Sequence, residues 1–246
     1  MAETKQLTLT DDLIKYIEKA VNVAKIAGID NLIIETDRVR AMDEDATIFI
    51  CHNEDVPDLP FGAMGMTRIG VFSSRLDIAS SMGDVSVIAS IDESNPQSTF
   101  VRALQLKGKG VKVDYRCANP TTLKAPKQVA DPKCYSAVMS AAAVQMMVKG
   151  QSAMAADDVT FIGSMDGVQL EIKDNNSDAL TYQVDDMVTI ENAEIAKSPD
   201  FFFRYPIKTI TALFKQNQDG RFYITSKGIA VISVDDLTVY VMPRSD

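Results

Sequence analysis

A chain of 246 residues, 46% hydrophobic and 24% charged, has the make-up of a globular protein and length for two modest domains. No run approaches the ~18 apolar residues of a membrane span, and residues 1–10, with Glu3 and Lys5 among them, lack the apolar heart of a secretion signal. The net charge of −9 excludes a uniformly basic nucleic-acid binder, so any DNA-directed charge has to be concentrated in one place.

Cys51, Cys117 and Cys134 form an odd, widely spaced set without a C-x-x-C pair, which argues against a disulfide framework and suits a reducing compartment. The single histidine, His52, lacks the neighbouring ligands of a zinc site and reads as a strand-end surface residue. The same scarcity argues against a Ser-His-Asp or Cys-His nucleophile. The expectation is a soluble cytoplasmic protein, in a host's cytoplasm if phage-encoded, that uses no metal or other cofactor.

The first element in chain order is a helix over 11–27, with Thr10 or Asp11 as N-cap and Gly28 past its end. Strands follow at 31–35 and 46–51, then a short helix over 73–82. Three strands close the first half, at 85–91, 100–106 and 111–117. In the last, Val111, Val113, Tyr115 and Cys117 alternate with Lys112, Asp114 and Arg116. Gly108-Lys-Gly110 between two strands reads as a hairpin turn, being too short for a phosphate loop. The stretch 119–132 holds three prolines and reads as an extended connector.

The second half repeats this order. Asp131 is a candidate cap and Pro132 a first helical residue for a helix that runs to Val148 or Lys149 and ends at Gly150. Strands come next at 158–162, 168–172 and 180–184, with turns at Asp166-Gly167 and Asn175-Asn176. A short helix over 206–215 precedes strands at 222–225, 229–234 and 237–242. Phe201-Phe-Phe203 and Met146-Met147 read as core. The order of elements occurs twice, which predicts a duplicated module: domains at 1–119 and 132–246, joined by 120–131.

Two helix-and-strand modules joined by a connector resemble the DNA sliding-clamp family. The resemblance is strongest from Phe203-Arg-Tyr-Pro to Phe214, then from Gly220 to Pro243, where a helix and three strands end the chain at a proline. It implies an α+β fold of two tandem similar domains, each with two helices packed on β-sheets (the DNA-clamp fold), closing a ring as a homotrimer. The compact first domain and short connector look most like T4-type phage clamps. The resemblance further implies a non-enzymatic role in DNA replication. The ring would encircle double-stranded DNA and tether a replicative DNA polymerase as its processivity factor, after a clamp loader ATPase has opened it.

Such a ring needs a basic lining. At 100° per residue, Leu13, Ile14, Ile17, Ala20, Val21, Ala24 and Ala27 share one side of the first helix, and Lys15, Lys19, Asn22 and Lys25 lie opposite with Asp12 and Glu18 among them. Arg75 falls on the first short helix, Lys133 and Lys149 bracket the third, and Lys208 and Lys215 align on the fourth. These eight cations are the candidate DNA-binding residues. Acidic runs such as Asp43-Glu-Asp45 and Asp185-Asp186 belong to an exterior that repels DNA. By position, the resemblance points to Leu123 and Val129 in the connector, and Tyr240, Met242 and Pro243 near the end, as a pocket for hydrophobic partner peptides. Three other readings remain open: an open-ring viral processivity subunit of the herpesvirus kind, a virion protein with duplicated β-rich modules, and an enzyme whose site is assembled from scattered Asp, Glu and Lys.

Overall fold

Thr10 stops the first strand and starts the first helix: its backbone is extended (φ −73°, ψ 157°) and its hydroxyl accepts from the Leu13 N–H at 3.3 Å. In the computed structural model, described for residues 5–52, 56–81, 83–94, 99–126, 129, 131–176 and 178–245, the chain divides into two units, Met1–Lys127 and Gln128–Asp246. The first runs β1 (Lys5–Thr8), α1 (Asp11–Ile26), β2 (Asn31–Glu35), β3 (Arg38–Met42), β4 (Ile48–His52), β5 (Ala63–Thr67), α2 (Ile69–Ser80), β6 (Ser86–Asp92), β7 (Phe100–Gly108) and β8 (Val111–Arg116). The second runs β9 (Lys133–Met139), α3 (Ala141–Met154), β10 (Asp158–Ser164), β11 (Gly167–Lys173), β12 (Ala179–Asp185), β13 (Thr189–Ile190), β14 (Phe201–Pro206), α4 (Ile207–Gln216), β15 (Gly220–Thr225), β16 (Ala230–Val234) and β17 (Leu237–Val241).

The duplication is therefore structural. With β13 set aside, both units read strand, helix, four strands, helix, three strands. The antiparallel pairings correspond as well. β1–β6, β6–β7 and β7–β8 match β9–β15, β15–β16 and β16–β17; β2–β5, β2–β3 and β3–β4 match β10–β14, β10–β11 and β11–β12. In each unit the two helices pack on each other and on strands, giving the α+β arrangement expected from the sequence.

Period-2 alternation builds the inner faces. Val87, Ala89 and Ile91 of β6, and Leu170 and Ile172 of β11, are buried. The second core centres on Phe161, whose ring lies 5.4 Å from Tyr205 and 5.7 Å from Phe222 in edge-on contacts, each worth about 1 kcal/mol beyond its burial. The Tyr205 hydroxyl, deep in that core, donates to the Gly228 carbonyl at 2.7 Å, which satisfies that buried donor.

Several sequence expectations need correction. The third helix does not begin at Asp131-Pro132. The Asp131 carboxylate instead accepts from the Ser226 hydroxyl at 2.6 Å and the Lys227 N–H at 2.9 Å, and residues 133–139 pair with β15. Ser140 is the true cap, accepting from the Ala143 N–H at 3.1 Å. Gly150 lies inside α3, where a Cβ would sit 2.4 Å from Ile172 Cδ1; the helix ends at the left-handed Ala155 (φ 47°). The strand expected at 46–51 is β4, which starts at Ile48 because the Asp43 carboxylate gathers the Thr47 and Ile48 N–H groups and turns the chain; its hairpin partner β3 is not among the expected strands. The second helix starts earlier than read, at Ile69 and not Ser73; Met82, its expected end, lies outside the described residues.

In the connector, Pro120–Thr122 forms one 3-10 turn capped by the Asn119 side chain, so that part is not extended. His52 ends β4 as expected but is buried, 6% exposed, so it is not a surface residue. Phe202 leaves the expected core set: strand alternation turns it outward to 59% exposure, while Phe201 is buried and stacks on Phe203 at 6.0 Å.

Candidate functional site

In the first unit the α1 face that carries Leu13, Ile17, Ala20, Val21 and Ala24 is buried, and Lys15, Asn22 and Lys25 are exposed on the opposite side. Lys19 is half-buried. Lys25 donates from Nζ to the Ser73 hydroxyl at 3.0 Å, which links α1 to α2. Of the acids on the exposed side, Asp12 lies in the first turn, where the peptide dipole favours it, and Glu18 lies in mid-helix among the lysines. The cations extend along the length of the helix.

Helix α2 differs. Arg75, half-buried, donates from Nη1 to the Asp114 carbonyl of β8 at 2.8 Å. Its charge is thus held at the sheet edge. Val71 and Ile78 are exposed on the same helix, 37% and 54%, and α2 packs beside β8. Sequence reasoning missed both features. A helix that is amphipathic against its own core, yet keeps apolar side chains outside, was the available signal.

In the second unit Lys149 is exposed on α3, and Lys208 and Lys215 are exposed on α4 above a buried row of Ile210, Leu213 and Phe214. Helices α3 and α4 pack together. Lys133 does not belong with them. It starts strand β9, where its Nζ lies 4.1 Å over the Tyr223 ring, a cation–π contact between neighbouring strands. The exposed helix cations are therefore Lys15, Lys25, Lys149, Lys208 and Lys215, with Lys19 half-buried beside them and Arg75 directed to a carbonyl.

The expected pocket residues divide between the units. Leu123 follows the 3-10 turn and packs on β5: its Cδ1 lies 3.1 Å from where a Cβ on Gly65 would stand, and that glycine is required because the Ala118 carbonyl is at 2.7 Å. Arg40, paired with Glu35 at 2.8 Å, also reaches the Pro126 carbonyl at 3.5 Å, so connector residues are fastened to the first unit. Val129 is half-buried in the second unit. Tyr240 lies on β17; Met242 and Pro243 follow it, and all three are half-buried. The tail beyond them is held by residues the sequence reading passed over. The Arg244 N–H donates to the Arg204 carbonyl at 2.7 Å, its guanidinium pairs with Asp158 at 3.0 Å, and Arg204 donates to the Ser245 carbonyl at 3.1 Å.

The cysteines offer little nucleophilic chemistry. Cys51 and His52 are successive strand residues and so face opposite sides of β4. Burial pushes the Cys117 thiol up to about 12 and raises that of Cys134 above its ordinary value, which keeps both protonated at neutral pH.

No family model matches the sequence, and no curated protein matches it. Solved structures match the fold. The structure described as the C-terminal region of FEN-1 bound to A. fulgidus PCNA has a TM-score of 0.61 at 12% identity, covering 99% of this chain and 99% of that one. The Proliferating Cellular Nuclear Antigen of Entamoeba histolytica gives 0.62 at 14% identity, with 100% of each chain covered. A putative DNA polymerase III beta subunit from Eubacterium rectale gives 0.67 at 11% identity, covering 100% of this chain and 67% of that one. At such identities the likeness concerns the fold: the chain has the DNA-clamp fold, α+β in two tandem modules.

Proposed function

We propose that this chain is a DNA sliding clamp, three copies of which close a ring around duplex DNA and hold a replicative polymerase on its template. The observation that carries the reading is the end-to-end likeness to two-module clamps, 99% of both chains in one case, together with exposed lysines on α1, α3 and α4 of an acidic protein. Two modules per chain make a trimer the natural closure of a six-module ring. The short link between β8 and β9 fits the compact T4-type phage clamps best.

The mechanism is topological. A ring cannot leave DNA sideways, so a tethered polymerase remains at high effective concentration without any bond being made or broken. Lysines suit the lining because a mobile point charge meets phosphates without reading sequence. Acids elsewhere repel DNA from the exterior. A loader ATPase would open the ring, and Leu123, Val129, Tyr240, Met242 and Pro243 would take the polymerase's hydrophobic peptide.

Copies would join through open strand edges. Among the described residues of its own unit β8 pairs only with β7, and β12 only with β11. The edge of β14 is occupied by the tail and that of β9 by β13. Val71 and Ile78, exposed beside β8, would supply apolar contact there.

Light scattering on a sizing column tests the proposal. The expected mass is three times the 26.9 kDa chain across a dilution series; a monomer at every concentration would overturn the closed ring. Alanine at Leu123 or Met242 should keep that mass while weakening a polymerase C-terminal peptide about tenfold. Unchanged peptide affinity would remove those residues from the pocket.

A further inference from the structure

The link 186–200, between β12 and β14, contains β13, which has no counterpart in the first unit among the described residues. It also collects apolar side chains at the surface. Met187, Ile190 and Ile195 are 68%, 36% and 47% exposed, and Met165 on the β10–β11 turn is 84% exposed. Gln183 joins the two segments, donating from Nε2 to the Asp166 carbonyl at 3.0 Å and the Asp185 carbonyl at 2.7 Å. From Asp185, whose carboxylate accepts from the Val138 N–H at 2.7 Å, the chain runs along the outer edge of β9. It places Ile190 opposite Tyr135, and Ile195 in the next turn, closed by the Asn192 carbonyl.

The ridge is acidic. Asp166, Asp186, Glu191 and Glu194 are exposed among these side chains, and Lys197 is the one base in 185–200. Arg221 of β15 stands 4.0 Å from Glu191. Such a surface repels phosphate, whether of nucleic acid or of anionic lipid, and attracts cationic groups. Methionine side chains adapt their shape to varied apolar partners. Exposed apolar surface rimmed by one sign of charge suits an amphipathic segment carrying the opposite sign.

We propose that the ridge formed by Met165, Met187, Ile190 and Ile195, rimmed by Asp166, Asp186, Glu191 and Glu194, docks a basic amphipathic segment of a protein partner. The site uses neither the helix lysines nor the connector and tail residues, so it goes beyond the clamp reading and can fail without it.

The probe is a short synthetic Leu/Lys amphipathic helix, with a Leu/Glu helix of equal length as the control. Fluorescence anisotropy gives affinity, and the methionine methyl signals in NMR give location. The Leu/Lys peptide should bind at least tenfold more tightly than the Leu/Glu one and shift the Met165 and Met187 methyls first. The double variant Met187→Ser, Ile195→Ser should weaken it at least tenfold. Phe202→Ser, at an exposed aromatic elsewhere, should leave binding as it was, and both variants should keep the wild-type native mass. Equal binding by the double variant, equal binding of the two peptides, or methyl shifts confined to other methionines would overturn the proposal.

Discussion

Replacing Asp114 with proline is expected to leave the chain folded and to reduce its native mass to that of the 26.9 kDa monomer. The expectation follows from the register of β8. The Cys117 N–H donates to the Arg102 carbonyl, and Arg116 stands opposite Ala103, so alternation turns the amides of Lys112, Asp114 and Arg116 away from β7. Proline at 114 removes one outward N–H and leaves every β7 bond intact. Its carbonyl, which accepts from Arg75, also remains.

The folded chain loses only an exposed contact, the bond from Gln105 Nε2 to the Asp114 carboxylate at 3.0 Å. A strand from a second copy loses a ladder bond and meets the pyrrolidine ring. That should cost about 2–3 kcal/mol, roughly 30- to 150-fold in association. Asp114→Asn keeps the amide and should keep the wild-type mass. A proline variant that melts like wild type and still assembles would show that β8 is not the joining edge.

The second large effect concerns charge. Glutamine at Lys15, Lys149, Lys208 and Lys215 together should leave the native mass unchanged and sharply weaken DNA binding. All four are exposed on helices. Each lysine that meets a phosphate contributes about 0.9 to the slope of log affinity against log salt, so the slope should fall by about 3–4 for every copy in the ring whose four lysines meet the duplex. Sequence preference should stay flat, because point charges on phosphates carry no base information. Glutamine at Lys133 should not alter the slope, since that lysine sits over the Tyr223 ring on a strand. An unchanged slope in the fourfold variant would place the DNA path away from these helix faces.

Part of this was legible in the sequence because it is local. The α1 stripe repeats with the helical period, Thr10 caps it from three residues away, and Gly28 follows it with φ 76°. The duplication showed as an order of elements, since each module must bury its own core. What the sequence concealed depends on partners far along the chain. Asp131-Pro132 has the form of a helix start, but Ser226 and Lys227, distant in sequence, capture its carboxylate. Strand β5, Ala-Met-Gly-Met-Thr, lacks β-branched residues before its last and is set by pairing with β2.

The exposed helix lysines follow from helical period; the engagement of Arg75 does not, because its acceptor lies on a strand. The Asp158–Arg204–Arg244 cluster that holds the tail was hidden for the same reason, joining strands and terminus across the second unit.

Encirclement itself is most directly measured by threading. Photocrosslinking to linear duplex with free ends is compared with crosslinking to the same duplex blocked at both ends by bound protein, in low salt and at concentrations where the ring is assembled. A closed ring reaches DNA only over an end, so crosslinks should form on the free-ended duplex and fall to background on the blocked one. Equal crosslinking to both would mean that the protein grips DNA from the side, which contradicts the clamp.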